Sequence, residues 1–87
     1  DYFFVVETKA TARTEYIQKF IKFVPELRSW FPDAEEKKII PVFASLYLSY
    51  ESIQYLTNNK VFAMAMNDDN MDIFNPQILE SFLMPQK

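Results

Sequence analysis

The stretch Tyr2-Phe3-Phe4-Val5-Val6-Glu7-Thr8-Lys9 decides how the rest of this 87-residue chain is read. Aromatic and β-branched residues fill its first five positions, the composition of a strand. Side chains alternate along a strand, so Phe3, Val5, Glu7 and Lys9 share one face while Phe4, Val6 and Thr8 share the other. Both faces are apolar as far as Val6, which predicts an interior strand covered on two sides. The charged pair then emerges at its C-terminal end. The chain opens directly on this apolar run, so the strand is expected to belong to a domain whose first part lies upstream of Asp1.

Thr11 is the expected N-cap of a helix over residues 12–31. Within it Ile17, Phe20, Ile21, Val24, Leu27 and Phe31 recur at three- and four-residue spacing, a stripe that faces a core. Pro25 removes the N–H that would bond the Ile21 carbonyl, which predicts a kink or two helical pieces. Pro32 ends the helix, because a residue before proline avoids the α region. Residues 33–38 read as a charged connector and 39–48 as a second buried strand, with Pro41 near its start. Ser49 caps a short helix over 50–57, and Asn58-Asn59 is expected to supply the left-handed residue that ends it. Strands follow at 60–66 and 71–74, joined by the turn Asn67-Asp68-Asp69-Asn70. A last short helix is expected around 77–82. Strand, long helix, strand, short helix and a two-stranded hairpin make an α/β pattern with a crossover between the first two strands.

Composition limits the chemistry. The chain has no glycine, no histidine and no cysteine. That excludes the glycine-rich phosphate loops, the G-x-S-x-G nucleophile elbow, histidine–cysteine zinc sites and any Ser-His relay. Carboxylates, lysine, arginine and hydroxyls remain, and carboxylates suit hard cations such as Mg²⁺. At 49% hydrophobic and 24% charged residues the chain is expected to fold around one core. No apolar run approaches the ~20 residues that span a bilayer, so no membrane partner is expected. The lack of cysteine points to a reducing, cytoplasmic setting. Nine Lys/Arg against twelve Asp/Glu give a net charge of −3. The imbalance is uneven: residues 1–32 carry five basic and four acidic side chains, whereas 33–87 carry four and eight. Only the first third, through Lys9, Arg13, Lys19, Lys22 and Arg28, offers a basic face to nucleic acid.

Glu7 and Lys9, two apart on a strand, point the same way with their bases ~7 Å apart. A carboxylate there can ligate a divalent metal, aided by the Thr8 backbone carbonyl. The neighbouring ammonium can orient a water for attack on phosphorus. Alternating charges at a strand end are also commonplace, and E-x-K alone specifies little.

Phe3-Phe4-Val5-Val6-Glu7-Thr8-Lys9, followed at once by a helix start containing Thr11 and Arg13, resembles the second half of the restriction-endonuclease-like, PD-(D/E)XK nuclease core. In that superfamily a buried strand ends in E-x-K and leads into a long helix and a further core strand. Residues 39–48 (Ile-Ile-Pro-Val-Phe-Ala-Ser-Leu-Tyr-Leu), Tyr55-Leu56-Thr57 and Val61-Phe62-Ala63-Met64-Ala65-Met66 are similar to a group of uncharacterised proteins of this type. The likeness runs from about Phe3 to Asn75. It implies the C-terminal part of such a domain and a Mg²⁺- or Mn²⁺-dependent nuclease, with Glu7 and Lys9 catalytic and Glu7 on the metal. It also implies that Gln18 and Lys19, early in the following helix, hydrogen-bond the metal's ligands or contact phosphate. Ser45, on the second strand, would neighbour Glu7 across the sheet or serve only as a small residue under the helix. The family pattern also needs an Asp on the preceding strand, and Asp1 lies on the same strand as Glu7. Pro32-Asp33 follows E-x-K and is a decoy. Residues 1–87 alone are therefore expected to be inactive.

A non-catalytic interaction or regulatory module on the same fold is the competing expectation, in keeping with the acidic second part. With part of the sheet upstream of Asp1, residues 1–87 are expected on either reading to leave an unpaired strand edge and to form homo-oligomers through it. Asp68, Asn70 and Asp72 mimic the start of a calcium loop, but Ile73 and Leu79 stand where glycine and glutamate are needed, so the segment reads as a turn. Met64, Met66 and Met71 read as core filling, and Trp30 and Phe31 as a cap on the core.

Overall fold

The computed structural model describes residues 2–30 and 38–83. The expectations at Asp1, Phe31, Pro32, the Pro32-Asp33 decoy and most of the charged connector lie outside those residues. The elements are β1 (Tyr2–Lys9), α1 (Thr14–Trp30), β2 (Lys38–Ser45), α2 (Tyr50–Asn58), β3 (Phe62–Asn67) and β4 (Asn70–Ile73). A 3₁₀ turn (Pro76–Ile78) and α3 (Leu79–Leu83) close the described chain. The fold is mixed α/β, and its four strands lie in the order β1-β2-β3-β4.

β1 and β2 run parallel with Glu7 opposite Phe43 and Lys9 opposite Ser45. β2 and β3 are parallel from Val42↔Phe62 onward, so Pro41 lies just ahead of that ladder. β3 and β4 form an antiparallel hairpin closed at Asn67↔Asn70. Alternation then sorts the side chains onto two faces of the sheet. Phe43, Ala63 and Ala65 join Ile17 and Phe20 of α1, together with Leu48, Leu56 and Val61, in the main core. The Phe20 and Phe43 rings meet at 6.0 Å between centroids. Phe43 is fully buried, and truncating such a ring costs about 3–5 kcal/mol. On the opposite face Ile78 and Phe82 pack over Ile40, Val42 and Phe62, with Phe82 stacked on Phe62.

Among the described residues β1 lies at one end of the sheet, the unpaired edge expected if part of the domain lies upstream, and its outward residues Phe4 and Val6 are 67% and 58% exposed. Several expectations need correction. α1 is one helix through Pro25 rather than two pieces, and it starts at Thr14 rather than at residue 12. Pro25 sits on its exposed side, where water can satisfy the carbonyl the ring strands, while Phe20, Val24 and Leu27 hold both halves to the sheet. Trp30 is 63% exposed, edge-on to Phe23, and does not cap the core. Met66 and Met71 lie exposed at the hairpin, and of the three methionines only Met64 packs against a core cluster.

Ser49 is the N-cap of α2, its hydroxyl oxygen accepting from the Ser52 amide at 3.1 Å. The C-terminus closes differently from the expectation. Val61 N–H donates to the Leu56 carbonyl at 2.9 Å and Lys60 N–H to the Thr57 carbonyl at 3.1 Å, the paired bonds of a Schellman motif. Its left-handed residue is Lys60 (φ 61°), not an asparagine. Val61 and Leu56, the two apolar residues flanking the motif, meet in the main core. That contact fixes which position turns left-handed, overriding the preference of Asn for it. In the β3–β4 turn the positive φ likewise falls on Asp68 (57°).

Candidate functional site

Parallel strands β1 and β2 deliver their C-terminal residues, Lys9 and Ser45, to one edge of the sheet. That is the edge at which open α/β sheets bind ligands. Alternation places Glu7 on the face of β1 that carries Val5 into the core, half-buried beneath α1. Its side chain lines an open cleft of ≈ 350 Å³ with Lys19, Phe20 and Phe23. Lys19 lies one position before the core residue Phe20 and is exposed. The closest ion pair among the described residues is Arg13–Glu15 at 4.0 Å, both side chains exposed. Glu7 forms none there, which leaves its carboxylate open to a cation from solution.

Lys9 points to the same side of the strand, and its ammonium rests 4.9 Å from the centre of the Tyr16 ring. Such a contact is worth about 0.5–1 kcal/mol at an exposed site, enough to bias where the ammonium waits. Thr8 faces the opposite side of β1 and is exposed.

Ser45 does not neighbour Glu7. It pairs with Lys9 in the register, is 2% exposed and donates its hydroxyl to the Ala10 carbonyl at 3.3 Å. It ties β2 to the strand exit beyond Lys9. Gln18 is also outside the Glu7 cleft. It lines a second one of ≈ 480 Å³, between the first turns of α1 and α2, with Thr14, Ile17, Ser49, Glu51, Ser52 and Tyr55. Of the candidates, then, the fold unites Glu7 with Lys19 and Lys9 with Ser45. Asp72 accepts from the Asn67 amide at 2.8 Å across the hairpin, in keeping with a turn.

Glu7 suits Mg²⁺ by donor type, since that ion is held by one or two carboxylates and completes its shell with water and phosphate oxygens. It is a single carboxylate, however, and among the described residues no three Asp or Glu side chains converge where they could hold a metal ion. Residues 2–30 and 38–83 hold part of such a site at most.

The residue that sequence reasoning missed is Asn75. It is fully buried, its Oδ1 accepts from the Ala63 amide at 2.8 Å, and its Nδ2 donates to Thr57 Oγ1 and to the Val61 carbonyl, both at 2.9 Å. The Phe74 amide donates to the Ala63 carbonyl at 2.8 Å, so Asn75 continues the β3–β4 ladder with a side chain in place of backbone. Its position just before Pro76 signals only a chain break.

No family model matches the chain, and neither a curated protein nor a solved structure resembles it significantly. No helix among the described residues is long and apolar enough to cross a membrane.

Proposed function

We propose that residues 1–87 carry half of a metal-dependent nuclease site of the PD-(D/E)XK type. One observation supports the reading above the others: Glu7, alone on its strand face as a carboxylate, opens with Lys19 into a cleft at the exit of a parallel strand–helix–strand unit. Glu7, with the Thr8 carbonyl, would hold Mg²⁺ or Mn²⁺ beside an acid supplied from outside residues 1–87. When bound, such an ion lowers the pKa of a ligated water and offsets charge on the phosphoryl oxygens. Lys9 positions the attacking water and offsets charge developing on the phosphate. Lys19, which lines the cleft, meets a phosphate of the nucleic acid strand. Gln18 and Ser45 take no direct part, one facing another cleft and the other engaged with Ala10.

The test uses the full-length protein with DNA and RNA substrates and added Mg²⁺ or Mn²⁺. Glu7→Ala is expected to abolish cleavage and Lys9→Ala to lower kcat by roughly 10²–10³, the usual loss for one group acting on transition-state charge. A parent that never cleaves, or variants that cleave like the parent, sinks the proposal. A second reading, a non-catalytic interaction module, draws on the apolar outward face of β1; it is the one left standing if cleavage is absent.

A further inference from the structure

The sheet has two unequal faces. α1 and α2 cover the one that carries Glu7, whereas among the described residues the other is covered only by the 3₁₀ turn and the five residues of α3. Between α3 and β1 this second face forms an open groove of ≈ 330 Å³, whose floor is Ile40, Val42 and Phe62. Six apolar side chains around it remain largely in water: Tyr2 47%, Phe4 67%, Val6 58%, Ile73 40%, Leu79 46% and Leu83 52% exposed. With ~150–250 Å² for a large side chain, these fractions leave roughly 600 Å² of apolar surface in one patch. That is at the upper end of what a monomer exposes, about 300–600 Å².

We propose that this face is the interface of a homodimer, in which a second copy of the chain packs on it across a two-fold axis. Area and charge both select a second copy. Two such patches facing each other bury roughly 1,200 Å² in total, the lower bound of a stable specific interface. A two-fold interface presents the same patch from both sides, so an apolar groove meets an apolar groove. The chain carries a net −3, yet the described strands place no carboxylate on this face. Alternation puts Thr8 and Lys38 there as the polar members, and the Lys38 ammonium already donates to the Phe82 carbonyl. α3 adds the exposed Glu80, so two acidic molecules approach here with one helix carboxylate apiece rather than with an acidic face. Pairing through the β1 edge, by contrast, would leave the groove in water. Phe4 of each copy enters the partner's groove between β1 and α3, and both Glu7 clefts stay open on the outer faces. The proposal uses no residue of the Glu7 cleft, so absence of nuclease cleavage does not overturn it.

Sedimentation equilibrium of the chain over a concentration series tests it, with Phe4→Lys and Leu83→Glu as variants. Both positions are exposed, so their side chains leave the core intact, and circular dichroism with a thermal melt checks that each variant folds. The parent is expected to approach twice 10.4 kDa as concentration rises through the micromolar range. Symmetry places each substitution in the interface twice. At ~30-fold for a single central contact, the dissociation constant rises roughly 10³-fold in Phe4→Lys. A parent that stays monomeric to the highest soluble concentration overturns the proposal, whatever else the groove then binds. So does a folded Phe4→Lys chain that dimerises like the parent, which would place the contact at another surface such as the β1 edge.

Discussion

Replacing Asn75 by leucine keeps the volume of the side chain and removes all three of its hydrogen bonds. The Ala63 amide loses its acceptor and the Val61 carbonyl its amide donor. Neither can turn to water, because Ala63 is 0% and Val61 2% exposed. Thr57 loses less, since its hydroxyl still donates to the Ile53 carbonyl at 2.6 Å. An unpaired buried backbone group costs about 1–3 kcal/mol. Two of them give a loss of about 4 kcal/mol, against a total stability of about 4–13 kcal/mol for a domain this size. Urea unfolding followed by far-ultraviolet circular dichroism measures it. With a slope near 1 kcal/mol per molar for a small domain, the midpoint falls by about 3–4 M, or the variant is unfolded without denaturant. Aspartate provides a sharper companion. Its oxygen can still accept from Ala63, but an ionised carboxylate then faces the Val61 carbonyl in a buried site, which disfavours the charged form. The folded state therefore holds the proton to higher pH than the unfolded chain, whose Asp titrates near ~3.9. Stability of Asn75→Asp is greatest below that value and is lost as pH rises. A change under 1 kcal/mol in Asn75→Leu, or an Asn75→Asp chain more stable at pH 7 than at pH 4, would refute the role given to this side chain.

Two further substitutions probe local geometry. Lys60→Gly is expected to stabilise by about 0.5–1 kcal/mol, because a non-glycine residue at φ 61° pays roughly 1–2 kcal/mol that glycine avoids, less the entropy glycine loses on folding. Calorimetry should show a Tm several degrees higher, and an unchanged or lower Tm counts against the strain. Ser49→Ala removes the acceptor for the Ser52 amide and should cost about 1 kcal/mol, a fall of about 4–8 °C in Tm. Ser49→Asp should restore most of it, since a carboxylate can accept the same bond and suits the helix N-terminus.

The parts of the fold that were legible in the sequence are those set by local periodicity. The eight residues of β1, the core-facing stripe of α1 and the Ser49 cap depend on neighbours within a few positions, and each lies where its pattern places it. The parts that were not legible depend on what a residue meets across space. Asn58-Asn59 looked the natural left-handed pair, yet the Val61–Leu56 contact hands that conformation to Lys60. Asn75 carries no local signal beyond the proline that follows it, yet it completes a sheet that its own strand has already left. The candidate site divides the same way. Glu7 and Lys9 share a strand face because alternation requires it, whereas the partner of each is fixed by register and helix phase. Register gives Ser45 to Lys9 and not to Glu7. Helix phase turns Lys19 toward Glu7 and its neighbour Gln18 toward α2, since adjacent helix residues lie about 100° apart. Of the three polar residues that the sequence suggested around Glu7, the fold keeps Lys19 at its cleft and engages Gln18 and Ser45 elsewhere.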